Sequence, residues 1–101
     1  MPVRDYIYVL NLVPKFQEQS SWGEKENKIM EDHFARLERQ HKRGTVKYVG
    51  KTDLPITNKS NFSLVVFESE NDTTAELFMQ SDPAVMKKMM TAQCLPFKHE
   101  L

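Results

Sequence analysis

Apolar residues alternate through four short stretches of the chain and recur at helical spacing in two others. Residues 4–13 (RDYIYVLNLV) read as a strand that Pro14 ends. Tyr6, Tyr8, Leu10 and Leu12 fall on one face of it, and Ile7, Val9 and Val13 on the other. A polar connection with two large rings, Phe16 and Trp22, leads to a helix predicted from Glu24 to Lys42. Its acids come early, its bases late, and Gly44 stops it. Ile29, Met30, Phe34 and Leu37 form a stripe roughly 140° wide at helical periodicity, and His33 and His41 lie within it. Residues 45–50 (TVKYVG) and 61–68 (NFSLVVFE) read as two further strands, with a loop or loose connection between them. A second helix is predicted over 73–80, with Asn71, Asp72 and Thr73 as N-cap candidates, Thr73 and Glu76 fitting a capping box, and Ala75, Phe78 and Met79 on one face. Asp82-Pro83 breaks it, a short turn or helical stretch follows from Ala84 to Lys88, and residues 89–97 form the last strand.

The order strand, helix, strand, strand, helix, strand predicts an α+β fold of ferredoxin-like βαββαβ type. Two helices cover one face of a four-stranded antiparallel sheet. Strands one and three are apolar on both faces, however, and the helices cover only one. The expected cover for the other is a second copy of the chain, giving a homodimer packed sheet to sheet.

Composition narrows the function classes. One domain, residues 1–101, fits a chain of 101 residues. Fourteen Lys and Arg balance fourteen Asp and Glu, so no basic excess points to nucleic acid or an anionic membrane. The single cysteine, Cys94, forms no intrachain disulfide, and its apolar neighbours suggest a buried small hydrophobe. The three histidines lack metal-ligand spacing, and with three glycines there is no phosphate loop. No metal, nucleotide or haem cofactor is expected. The apolar run Tyr6–Leu10 is too short for a signal core or a membrane span, which points to the cytosol. The final Lys98-His99-Glu100-Leu101 looks like an endoplasmic-reticulum retention tail, but without an entry signal it reads as chance.

Several stretches, in order, resemble the YCII-related (YciI-like) family. His33-Phe34-Ala35-Arg36-Leu37, eleven residues before Gly44, is similar to that family's helix motif. Val46-Lys47-Tyr48-Val49-Gly50 is similar to its second strand. Val65-Val66-Phe67-Glu68, then Ala75 and Asp82-Pro83, resemble its second half, and Leu95-Pro96-Phe97 its closing strand. The resemblance implies a dimeric α/β barrel with a His–Asp pair, here His33 and Asp82, at a pocket over the sheet. Lys51 stands where the family usually has Pro, and Lys88 where it usually has Gly.

Each member of that pair also has a plain structural role open to it. A lone histidine on an apolar helical stripe commonly packs as a hydrogen-bonded core residue, and Asp-Pro after a helix commonly serves as a turn or cap. Lys47, Lys51 and Arg36 read as mostly solvated, with one of them available to an anionic substrate at the rim. His99 reads as part of a frayed tail. Two functions are expected from these residues. One is a small cofactor-free enzyme, of isomerase or lyase type, in which His33 and Asp82 exchange protons with a small organic molecule. The other is a non-catalytic dimeric barrel that binds a small ligand or acts as a structural or regulatory partner.

Overall fold

The computed structural model describes residues 2–101, and Met1 lies outside the described residues. The elements are β1 (Arg4–Leu12), α1 (Glu24–Lys42), β2 (Val46–Lys51), β3 (Ser63–Ser69), α2 (Asp72–Gln80), α3 (Pro83–Met86) and β4 (Met90–Pro96). Two short 3-10 turns, Pro14–Gln17 and Gln19–Ser21, join β1 to α1. The four strands form one sheet in the order β2-β3-β1-β4, every pair antiparallel. This α+β architecture is compatible with a ferredoxin-like fold.

The helices start and stop where local chemistry requires. The Glu26 side chain accepts from the Gly23 backbone N–H at 2.9 Å, closing the first turn of α1. Gly44, at φ +86°, takes the left-handed turn that ends it. The second helix begins one residue earlier than predicted, and of the three N-cap candidates Asn71 is the one used. Asn71 accepts from the Thr74 N–H at 2.9 Å, and Thr73 and Glu76 form no capping box.

The core lies between the helices and one face of the sheet. Tyr6, Tyr8 and Leu10 of β1 point into it, and the register sets Phe67 opposite Tyr6 and Val65 opposite Tyr8. Ile29 and Leu37 of α1, Ala75 and Met79 of α2, and Ala84 of α3 close over them. The Phe67 and Phe78 rings stack at 4.5 Å, with Tyr8 edge-on to both.

The opposite face carries Ile7 and Val9 of β1, Leu64 and Val66 of β3, Leu95 of β4 and Tyr48 of β2. No helix reaches it. Tyr48 is 60% exposed there, because a register shift between Val46 and Tyr48 aligns it with Val66. Phe34, expected on the buried stripe, is 54% exposed, because it lies at the edge of the face that α1 turns to the sheet. The C-terminal tail also departs from expectation: His99 folds back to within 2.7 Å of Asp5 and sits edge-on to Phe97. Among the described residues, no helix is long and apolar enough to cross a membrane.

Lys88, just after α3, has φ +60°, a conformation that disfavours any residue with a Cβ. It is exposed, so its side chain has no packing to lose. Lys88→Gly is expected to stabilise the fold by about 0.5–1 kcal/mol, the left-handed penalty less the extra entropy of a glycine in the unfolded chain. Urea denaturation checks this, and a lower midpoint for the variant would contradict it.

Candidate functional site

α1 carries Ile29, His33, Leu37 and His41 at four-residue intervals, and the first three are buried against the sheet. This row aims the His33 imidazole inward among apolar groups. Asp82 approaches from the turn between α2 and α3 and is fully buried. Its Oδ1 accepts from His33 Nδ1 at 2.6 Å and from the Ala84 backbone N–H at 3.0 Å. The predicted pair therefore meets, and Asp82 also caps α3, so its two readings coexist in one side chain.

Two further residues complete the cluster. The Tyr8 hydroxyl donates to Asp82 Oδ2 at 2.7 Å. Arg36, one turn along α1, lies 3.9 Å from Oδ2 through Nη1. Its Nη2 donates to the Phe78 carbonyl at 2.6 Å, and its guanidinium lies 4.3 Å from the Phe78 ring centroid. Arg36 was expected to be mostly solvated, but its side chain is only 13% exposed, because the Phe78 ring and carbonyl hold it between α1 and α2. Its Nη1 is the buried side-chain polar atom without a hydrogen bond among the described residues. The charge of Asp82 nearby offsets that desolvation.

These contacts set the protonation of the cluster. Burial pushes the Asp82 carboxyl up, but His33, Tyr8 and the Ala84 N–H together pull it below its ordinary value. Burial, and then the Asp82 charge, push the Tyr8 phenol far above its ordinary value, so it remains a donor. The Cys94 thiol is pushed up to about 11 by burial and the Glu76 and Asp72 charges, which makes it a poor nucleophile near neutral pH.

With Nδ1 bound to Asp82, Nε2 is the free nitrogen of His33, and no protein group among those described bonds to it. His33 lines a cavity of about 400 Å³ between α1 and the sheet. Its floor includes Leu10, Val65 and Val49, and Trp22 and Phe62 help close its sides. The Trp22 indole N–H donates to the Phe16 carbonyl at 2.8 Å, fixing that wall. The segment between β2 and β3 covers one end and is pinned by Asn61, whose amide N–H₂ donates to the carbonyls of Leu54 and Pro55 while its Oδ1 accepts from Thr52. Exposed Phe34 and Lys51 mark the open side.

An imidazole bound at Nδ1 by a carboxylate, when neutral, carries its proton there and presents the Nε2 lone pair to the cavity. That arrangement accepts a proton from a bound molecule and returns it. Sequence reasoning missed Tyr8 and Arg36. Tyr8 is one of three tyrosines on the strands, and only the sheet register and the position of the α2–α3 turn bring its hydroxyl to Asp82. Arg36 carried a faint signal, lying one turn beyond His33 on the same helix. His41 stands apart from the site, its Nδ1 donating to the Val46 carbonyl at 2.9 Å. No group of three or more metal-ligating side chains gathers among the described residues.

Tyr8→Phe removes one hydrogen bond to a buried carboxylate and is expected to cost about 1.5–3 kcal/mol, read from urea denaturation. An unchanged midpoint would contradict the assignment. The lowered Asp82 pKa fixes the sign of a pH effect. Its stabilisation is complete above the unfolded carboxyl value near ~3.9 and is lost as pH falls through the lower folded value. The stability gap between the natural chain and Asp82→Asn should therefore narrow below about pH 4. A gap that widens toward low pH would show that the folded pKa is raised.

No protein-family model matches this chain, and no curated protein does either.

Proposed function

We propose that the chain is a small acid/base enzyme of YciI-like type, acting without a cofactor on a small, largely apolar organic molecule. The observation that carries this is the bond from His33 Nδ1 to buried Asp82, with Nε2 left free beside a cavity of about 400 Å³. His33 Nε2 takes a proton from a carbon next to a carbonyl, leaving an enolate, and the imidazolium returns it at another carbon. This is an isomerisation. If the enolate instead expels a leaving group, the outcome is elimination, and the imidazolium passes its proton to that group. Asp82 stabilises the transient imidazolium and holds the ring, and Tyr8 and Ala84 hold Asp82. The positive φ of Lys88, where YciI-like chains usually carry Gly, supports the resemblance.

A homodimer belongs to the same reading. The face carrying Ile7, Val9, Leu64, Val66, Leu95 and Tyr48 is apolar and has no helix over it. We assign it to a second copy, sheet against sheet, as in a dimeric α/β barrel. A second functional reading, a ligand-binding barrel without catalysis, is favoured by the structural work of Asp82, whose bonds tie β1, α1 and α3 together as a purely structural group would.

Deuterium exchange separates the two. In D₂O, a panel of small ketones, lactones and enoates watched by NMR should include a member that exchanges a carbon-bound proton in the presence of the protein. His33→Asn should slow that exchange by about 10²–10⁴-fold while the fold persists by circular dichroism. Binding without exchange across the panel favours the non-catalytic reading. Light scattering at micromolar concentration should give twice the 11.8 kDa chain mass. A stable monomer would contradict the dimer.

A further inference from the structure

The polar groups that line the cavity fall into two sets. Asn61 and one end each of the Gln17 and Asn58 amides are engaged by the protein itself, which leaves Gln17 Oε1 and Asn58 Nδ2 without partners among the described residues. Gln17 donates to the Leu12 carbonyl, Asn58 accepts from the Ser60 N–H, and Asn61 pins the β2–β3 segment. The other set is His33 Nε2, Ser63 Oγ and Lys51 Nζ. Among the described residues, none of these three atoms has a hydrogen-bond or ion-pair partner. Asp53, the acid closest to Lys51 in sequence, forms no ion pair with it. No Asp or Glu lines the cavity.

The sheet register brings two of these groups together. Lys51 is directly opposite Ser63 across the β2–β3 ladder, and Ser63 is directly opposite Leu10 across β3–β1. All three side chains fall on the face that meets α1, and all three line the cavity. Directly opposed residues have Cβ atoms about 5 Å apart, so the flexible Lys51 side chain can bring its ammonium beside the Ser63 hydroxyl at the open side of the cavity. Across from them, α1 holds His33 above the same space. A positive end facing apolar walls, with no carboxylate to neutralise it, favours an anion there and disfavours a cation.

From this charge inventory we infer that the cavity selects small organic anions, with a carboxylate held by Lys51 and Ser63 and an apolar frame lying beneath His33. This rests on reading the cavity as a ligand site. It also gives a role to the lysine that stands where YciI-like chains usually carry Pro, as a residue that sets specificity. The carboxylate anchors the molecule at one end, and the frame, rather than the charge, meets the imidazole.

Matched pairs test the inference: 3-phenylpropionic and cyclohexylacetic acids against their primary amides, titrated into the ¹⁵N-labelled protein by NMR. The acids should bind at least about fivefold tighter than the amides, with shifts centred on Lys51, Ser63 and His33. Lys51→Gln should erase the difference by weakening only the acids, and Lys51→Glu should shift preference to the matched primary amines. Because Lys51 is exposed, both variants should keep the fold. Ser63→Ala should weaken the acids by a smaller factor. Acids and amides that bind equally, with shifts in the cavity, would overturn the anion selectivity and leave the ligand site standing. Absence of any binding, or shifts confined to other surfaces, would overturn the ligand site as well.

Discussion

Asp82 is fully buried, and its carboxyl is held in the charged form. An ionised carboxylate without partners in such a place would cost far more than the whole stability of a small domain. The surrounding chain therefore has to supply donors, and it does so from three elements. Tyr8 comes from the middle of β1, His33 from the buried row of α1, and the Ala84 N–H from the first turn of α3, with Arg36 close by. Each bond constrains the others. Shifting α1 by a turn would remove His33, and slipping β1 by one residue would send the Tyr8 ring to the opposite face.

The same constraint prepares the site. A neutral histidine left to itself favours the proton on Nε2, and the carboxylate at Nδ1 imposes the other tautomer. Asp82 does not line the cavity that His33 lines, and its bond to Nδ1 leaves Nε2 as the ring's free nitrogen. Packing and ring orientation rest on the same bonds in this cluster. The bonds that fasten β1, α1 and α3 are the ones that orient the imidazole. The cavity persists because its walls are fixed independently, by the Trp22 bond to the Phe16 carbonyl and by Asn61 across the β2–β3 segment.

Much of the fold was legible because its signals are local. The alternation in residues 4–13, the acid-to-base order of α1 and the turn at Gly44 each follow from a few neighbouring residues, and the α1 boundaries agree with the structure. His33 and Asp82 were legible as candidates through a resemblance to a family, and their meeting follows from the placement of α1 beside α3. Tyr8 was not legible, because its partner is 74 residues away and only the register of β1 brings it there. Arg36 looked like a solvent-facing cation, because nothing in the sequence places the Phe78 ring and carbonyl beneath it. The face that Tyr48 takes follows from a register shift in β2, which periodicity alone does not reveal.

The central claim is that Asp82 holds the His33 ring with Nδ1 protonated and Nε2 free. Long-range ¹H–¹⁵N NMR on the imidazole reads this directly. In the pH range where the ring is neutral, the account predicts a protonated Nδ1 with a strongly downfield, slowly exchanging proton and an unprotonated Nε2. In Asp82→Asn the downfield proton should disappear and the two tautomers should mix. A ring protonated at Nε2 in the natural chain, or one whose tautomer is unchanged by Asp82→Asn, would contradict it.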